Sequence, residues 1–122
     1  MPEVSPEKTK INEVLRRVDV AWPTLGVALC SILLWCGVAI YNVLNPANFI
    51  VLKTALVTLA AFAIFTPMHD AAHQSISNRR WINEWVGRIS AILLMAPFPA
   101  FRYVHLEHHK YVNDPLLDPD HY

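Results

Sequence analysis

Two long apolar runs dominate the first half of the chain. Residues 22–44 contain no charged side chain, and residues 49–68 contain one, Lys53. At about 1.5 Å of rise per residue, helices of these lengths reach across a bilayer core of roughly 30 Å. Trp22 and Tyr41 lie near the ends of the first run, where aromatic side chains favour the membrane interface. The pattern predicts two transmembrane helices joined by a short turn, with Lys53 extending outward from the start of the second.

A third apolar stretch is too short to cross a membrane. It begins as one face of an amphipathic helix, formed by Trp81, Ile82, Trp85, Ile89, Ile92 and Leu93. Its uninterrupted part, residues 89–101, contains Pro97 and Pro99. We predict an interfacial helix followed by a proline-shaped, shallow or re-entrant turn, which makes the fold an all-α integral membrane fold. The alternative is a short third crossing helix, which would separate the histidines on its two sides.

The N-terminal segment, residues 1–21, is polar and basic, and we expect a short helix from Pro6. The turn at 42–48 has no basic residue. Seven basic residues flank the helix pair at its two outer ends: Lys8, Lys10, Arg16, Arg17, Arg79, Arg80 and Arg88. By the positive-inside rule, the N-terminus and the histidines after the second helix are cytoplasmic. We therefore divide the chain into a cytoplasmic segment, 1–21, and a membrane domain, 22–122. The formal charge of zero gives no support for nucleic-acid binding.

Five of the six histidines fall into two clusters. His69 and His73 are four residues apart, and the second cluster contains His105, His108 and His109. Spacings of three and four residues place side chains on one face of a helix. Neutral imidazole is the commonest metal ligand and suits iron, zinc and copper. The pattern predicts a metal site built from these five histidines. His121 has no partner at ligand spacing and is not included.

Three aspartates near the clusters are candidates to orient the ligating rings: Asp70, Asp114 and Asp118. A metal-bound histidine usually donates its other ring N–H to a carboxylate or carbonyl, which fixes its tautomer and orientation. The alternative is that the aspartates are solvated turn residues, since Pro115 and Pro119 each follow one of them. The sequence leaves both interpretations open.

The order HxxxH and then HxxHH, beside apolar segments, resembles the integral-membrane fatty acid desaturase and hydroxylase superfamily. The longer stretches 68–73 and 105–121 resemble its bacterial carotene hydroxylase branch more closely, and the resemblance covers roughly residues 60–122. It implies that the five clustered histidines bind two irons. It also implies O₂-dependent oxidation of a lipid-soluble substrate, with electrons from a donor such as ferredoxin. Hydroxylation of a carotenoid ring is the first reaction we expect from it, and fatty acyl desaturation is the alternative.

Members of the superfamily carry a third histidine box farther along the chain, and none precedes Tyr122 here. Because five ligands cannot fill two iron coordination spheres, we expect the N-terminal part of a truncated histidine-box fold, with weak metal binding and no turnover.

Two other classes compete with the oxygenase interpretation: a non-enzymatic membrane metal-binding module and a zinc-dependent membrane hydrolase. HExxH zinc enzymes carry a glutamate base after the first histidine, whereas Asp70 follows His69 here. Both clusters lie beyond the apolar runs, which disfavours a transport path through the membrane.

Overall fold

The computed structural model describes residues 19–121 and contains four α-helices, with no strand among those residues. They are α1 (Trp22–Leu44), α2 (Ile50–Ala72), α3 (Arg80–Leu93) and α4 (Phe98–Tyr111). Within the described part of the chain, α1 and α2 are individually long and apolar enough to cross a membrane. The predicted all-α membrane fold with two spanning helices is confirmed. The helix expected from Pro6 lies outside the described residues.

The two spanning helices form a hairpin whose outer surfaces are apolar. Only 17% and 22% of the most apolar windows of α1 and α2 are buried, as expected for helices that face lipid. The connecting turn ends at Phe49, which has a left-handed backbone (φ 52°) and precedes the first residue of α2. The second helix begins one residue after the start of the predicted apolar run and continues four residues beyond its end, to Ala72. It therefore carries His69 within its last turn, and His73 follows directly after it.

The cation near the start of α2 closes this hairpin. Lys53 is 7% exposed. Its Nζ donates to Oδ1 of Asn42 at 2.8 Å and to the carbonyl oxygens of Asn45 and Pro46, both at 2.9 Å. The ammonium group extends toward the turn as predicted, but three protein oxygens receive its hydrogen bonds. It thereby ties the end of α1 to the beginning of α2.

Helix α3 packs with its small and polar side inward. Asn83, Gly87, Ser90 and Ala91 are buried, whereas Trp81 and Trp85 are 60% and 62% exposed. A helix in water would be expected to turn the opposite face inward. The exposed aromatic and aliphatic face therefore fits contact with lipid, in agreement with the predicted interfacial helix.

Helices α3 and α4 form a re-entrant pair bent by 105°. At the bend, the ring of Phe98 occupies the space beside Gly87, where a Cβ would lie 2.1 Å from a ring carbon. Helix α3 begins just after the end of α2, and the last turn of α4 returns to that same end, where His109 meets His73. The pair thus begins and ends beside the same end of α2, which fits a re-entrant arrangement and disfavours a third crossing helix.

The start of α1 is fastened to the loop that follows His73. The backbone N–H of Ala21 donates to the carbonyl of Ile76 at 2.7 Å, and Ser77 Oγ donates to the carbonyl of Asp19 at 2.6 Å. A compact apolar cluster lies beneath this junction and is formed by Met68, Ala71, Ala72, Ile76, Ala91 and Phe98. These hydrogen bonds and the apolar cluster thus hold the start of α1, the end of α2 and the start of α4 together on the side of the protein where the histidines lie.

Candidate metal centre

Helices α2 and α4 lie side by side with three aromatic pairs in matching register. The ring centroids are 5.7, 4.6 and 4.8 Å apart in the pairs Phe65–Phe101, His69–His105 and His73–His109, respectively. On each side the three positions are four residues apart, with His73 directly after the end of α2, so they follow one stripe of the surface. The shared spacing explains how two clusters distant in sequence meet at one place.

Four histidines form one group, which we call the histidine quartet: His69, His73, His105 and His109. One ring nitrogen from each lies within 4.8 Å of the corresponding nitrogen of every other member. The shortest contact joins Nε2 of His73 to Nε2 of His105 at 2.8 Å. Four converging imidazoles are a donor set that iron, zinc and copper accept, so the residues present fit iron.

Two rings of the quartet, those of His73 and His105, favour the neutral form. Burial, followed by the charges of His69 and the other neighbouring imidazoles, lowers the pKa of His105 to about 4. Burial first, and then His69 and His109, also lowers the pKa of His73, with Asp70 opposing. Both rings are therefore mainly neutral near pH 7. A neutral ring offers the lone pair that a metal requires, so the site needs little deprotonation before binding.

The fifth predicted ligand, His108, lies beside the quartet. Its ring centroid is 5.8 Å from that of His109, and its Nδ1 is 2.8 Å from Oδ1 of Asp118. This hydrogen bond is the main cause that raises the pKa of His108. On α4, positions 105 and 109 share a stripe, whereas position 108 projects from a neighbouring face. The structure therefore brings four of the five predicted ligands together.

The three candidate aspartates have different surroundings. Asp118 is buried and contacts His108. Burial opposes ionisation of its carboxyl group, but the hydrogen bonds from His108 and from the backbone N–H groups of Asp120 and Asn113 lower its pKa to about 2. Asp70 Oδ1 is 3.6 Å from His69 Nδ1, while its Oδ2 accepts a hydrogen bond from Thr24 at 3.1 Å.

Asp114 is the turn former among the three. Its Oδ1 accepts the backbone N–H groups of Leu116 and Leu117 at 2.9 and 3.0 Å. Among the described contacts, it has none with a histidine. The turn interpretation therefore fits Asp114, and the ring-orienting interpretation fits Asp118.

Two aromatic residues at the site were not identified from the sequence. Phe101 stacks on His105 with the planes 8° apart, and Phe65 lies edge-on to Phe101. Each phenylalanine precedes a quartet histidine by four residues. This spacing is the signal that could have revealed them, because residues one turn apart share a helix face.

The fold and the site together define a class of membrane proteins in which histidines that can bind a metal cluster at the end of a spanning helix. The sequence profile of the fatty acid desaturase family matches residues 44–122. The chain belongs to this family.

Similar curated proteins are acyl-lipid desaturases. The sn-1 oleoyl-lipid 12-desaturase of Arthrospira platensis is 36% identical over 100 residues, which cover 80% of this chain and 27% of that protein. The protein of the same name from Anabaena variabilis is 39% identical over 77 residues, 63% of this chain and 20% of that protein. An sn-1 acyl-lipid omega-3 desaturase (ferredoxin) of Nostoc sp. is 37% identical over 49 residues, 40% of this chain and 14% of that protein.

These matches confirm the superfamily but do not support its carotene hydroxylase branch. The chain spans about a quarter or less of the length of these relatives. No solved structure matches it significantly. The comparisons favour acyl desaturation, the alternative reaction, over the carotenoid hydroxylation that the motif resemblance put first.

Proposed function

We propose that this chain provides iron-binding histidines to a membrane oxygenase that introduces double bonds into the acyl chains of lipids. The observation that carries the proposal is the histidine quartet. Two clusters, from α2 and α4, converge at the end of a membrane helix in a member of the fatty acid desaturase family.

In this proposal His69, His73, His105 and His109 hold iron, and His108 is a fifth donor at the edge of the quartet. Bound iron would supply the O₂-dependent oxidation of an unactivated C–H bond, which side chains do not perform unaided. The protein holds the rings in register, and burial lowers the pKa of two of them, His73 and His105. The Phe65–Phe101 pair lies one helical turn toward the membrane from the quartet and makes that side of the site apolar.

The substrate that we propose is an acyl chain that reaches the site from the bilayer. An open apolar groove on α2, lined by Thr58, Ala61, Phe62, Phe65 and Leu94, leads along the helix to the Phe65–Phe101 pair. A flexible hydrocarbon chain fits such a shallow groove. We place it before a carotenoid because the relatives named above are acyl-lipid desaturases.

The electron donor that we propose is a ferredoxin-type protein on the cytoplasmic side. The name of the Nostoc relative specifies ferredoxin. Arg79, Arg80 and Arg88, on the histidine side of the hairpin, are exposed and follow the positive-inside rule for a cytoplasmic location. A small acidic redox protein would be attracted to this basic surface.

Iron binding by the purified chain tests the first half of the proposal. The chain in lipid nanodiscs is titrated anaerobically with Fe(II), and bound iron is measured at equilibrium. We expect His69→Ala and His105→Ala to lose most of the iron. His121→Ala is the matched control, because His121 is exposed and lies outside the quartet. If all three variants retained equal amounts of iron, the quartet would not be the iron site.

A chimera tests the reaction. Residues 44–122 replace the matching segment of the Arthrospira platensis desaturase, and lipids and carotenoids of the host are analysed. A second double bond in oleoyl lipids is the expected product, abolished by His105→Ala. A hydroxylated carotenoid would instead favour the alternative substrate. An iron-loaded chimera that forms neither product would contradict an oxygenase role.

A further inference from the structure

Asp118 lies at the centre of a closed hydrogen-bond cluster after α4. Its side chain is 3% exposed. Oδ1 lies 2.8 Å from Nδ1 of His108 and accepts the backbone N–H of Asp120 at 2.9 Å, while Oδ2 accepts the backbone N–H of Asn113 at 2.9 Å. Three donors thus surround one carboxylate, and one of them is a histidine ring.

The backbone turns back on itself to place this carboxylate. Asn113 has a left-handed backbone (φ 63°) just beyond the end of α4, which reverses the chain direction. Two further backbone hydrogen bonds continue the reversal: Asp114 N–H to Tyr111 O at 2.8 Å and Asp118 N–H to Asp114 O at 3.1 Å. The position of Asp118 is therefore set by the turn itself.

We propose that Asp118 is the positioning residue of His108, which prepares this ring as a metal donor beside the quartet. The carboxylate accepts the proton on Nδ1, so the neutral ring carries its free lone pair on Nε2. The inference rests on the proposed function only for the identity of the ligand as a metal ion. Asp70 and Asp114 lack this geometry, since the hydrogen bonds of their carboxylates go to Thr24 and to backbone N–H groups.

The tautomer of His108 tests the inference without metal. ¹⁵N-labelled chain in nanodiscs is studied by NMR at a pH where the ring is neutral. We expect wild-type His108 to carry its proton on Nδ1, and Asp118→Asn to shift the ring toward the Nε2–H form. Asp114→Asn is the matched control and leaves the tautomer unchanged. A wild-type ring protonated on Nε2 overturns the inference, whether or not any variant folds.

A Co(II) titration tests the consequence for binding. We expect Asp118→Asn to weaken the binding that depends on His108 by about 10- to 100-fold, with His108→Ala adding little when combined with it. Asp114→Asn keeps wild-type affinity. Additive losses in the double variant, or equal losses in the Asp114→Asn control, overturn the inference. If the wild-type chain binds no metal, the proposed function fails, and the tautomer measurement still decides the role of Asp118.

Discussion

The ring of Phe101 lies parallel to the ring of His105, with the planes 8° apart and the centroids separated by 5.3 Å. Phe101 in turn packs against Phe65, with the ring centroids 5.7 Å apart and the planes at 75°. One quartet ring thus rests on Phe101, which is itself supported by a second aromatic ring. The orientation of His105 therefore depends on a residue that cannot itself bind metal.

Replacing Phe101 by leucine should loosen this ring. Leu retains most of the apolar volume but loses the aromatic contacts, which contribute about 0.5–1.5 kcal/mol. We expect a lower thermal midpoint and several-fold weaker Co(II) binding, measured by unfolding and titration in nanodiscs. Tyr103→Leu is the control, because Tyr103 is 68% exposed. Unchanged Co(II) affinity in Phe101→Leu would show that the orientation of His105 does not depend on its contact with Phe101.

Gly87→Ala should destabilise the re-entrant pair. A Cβ at this position would lie 2.1 Å from the ring of Phe98, which is itself 2% exposed and has little room to move. Overpacking of this kind costs about 1–3 kcal/mol. Gly37→Ala is a matched helical control, because nothing beyond its chain neighbours and the local backbone of its own helix lies within 4 Å of the new Cβ. Thermal unfolding in detergent should separate the two variants, and equal midpoints would contradict the packing of α3 on α4.

The pair of Glu84 and Arg102 should make stability depend on pH. The hydrogen bond from Arg102, with burial opposing it, lowers the pKa of Glu84 below its ordinary value of 4.5. A depressed folded pKa contributes stability above the unfolded pKa and loses it as pH falls through the folded value. The difference in unfolding midpoint between wild type and Glu84→Gln should therefore shrink below about pH 4.5. A difference that is constant with pH would contradict the pairing.

The sequence predicted what depends on local spacing. The lengths of the apolar runs predicted α1 and α2, and the four-residue spacing predicted that His69 and His73 share a face. The sequence alone could not exclude His108 from the quartet, because positions 108 and 109 are three and four residues after His105 and either can share its helix face. The rotation of α4 against α2 decides between them, and that rotation depends on packing distant in sequence.

The contacts of buried polar residues also could not be predicted from local sequence patterns. Asn83 belongs to the polar side of α3, which a soluble helix would expose, yet it is 1% exposed because its amide bonds to the backbone of Ile76 and Ser77 in the preceding loop. Asp114 and Asp118 precede prolines alike, and only the chain reversal at Asn113 determines which of them meets a histidine.

Lys53→Met should weaken the helical hairpin. It removes three hydrogen bonds from a buried ammonium group and leaves the carbonyls of Asn45 and Pro46 without that partner. We expect a loss of about 1–3 kcal/mol, measured by unfolding in mixed micelles. The control is Thr54→Val, since the Thr54 hydroxyl is exposed and, within the described part of the chain, bonds to the carbonyl of Ile50 in its own helix. Similar losses in both variants would contradict a role for Lys53 in closing the turn.

Asn83→Ala should disturb the histidine site from a distance. Oδ1 of Asn83 accepts the backbone N–H groups of Ile76 and Ser77 at 3.1 and 3.3 Å, and Nδ2 donates to Ser77 O at 2.8 Å. Each backbone group left unpaired costs about 1–3 kcal/mol. Ile76 also receives the hydrogen bond from Ala21 that fastens α1, so one side chain supports the junction behind His73.

We therefore expect faster amide hydrogen exchange at Ile76 and Ser77 in Asn83→Ala, together with weaker Co(II) binding. Asn78→Ala is the matched control, because Asn78 is exposed and, among residues 19–121, its side chain bonds to that of Asp19. Faster exchange with unchanged metal affinity would mean that His73 is held by α2 alone. Weaker affinity with unchanged exchange would instead contradict the loop as the route by which Asn83 supports the quartet.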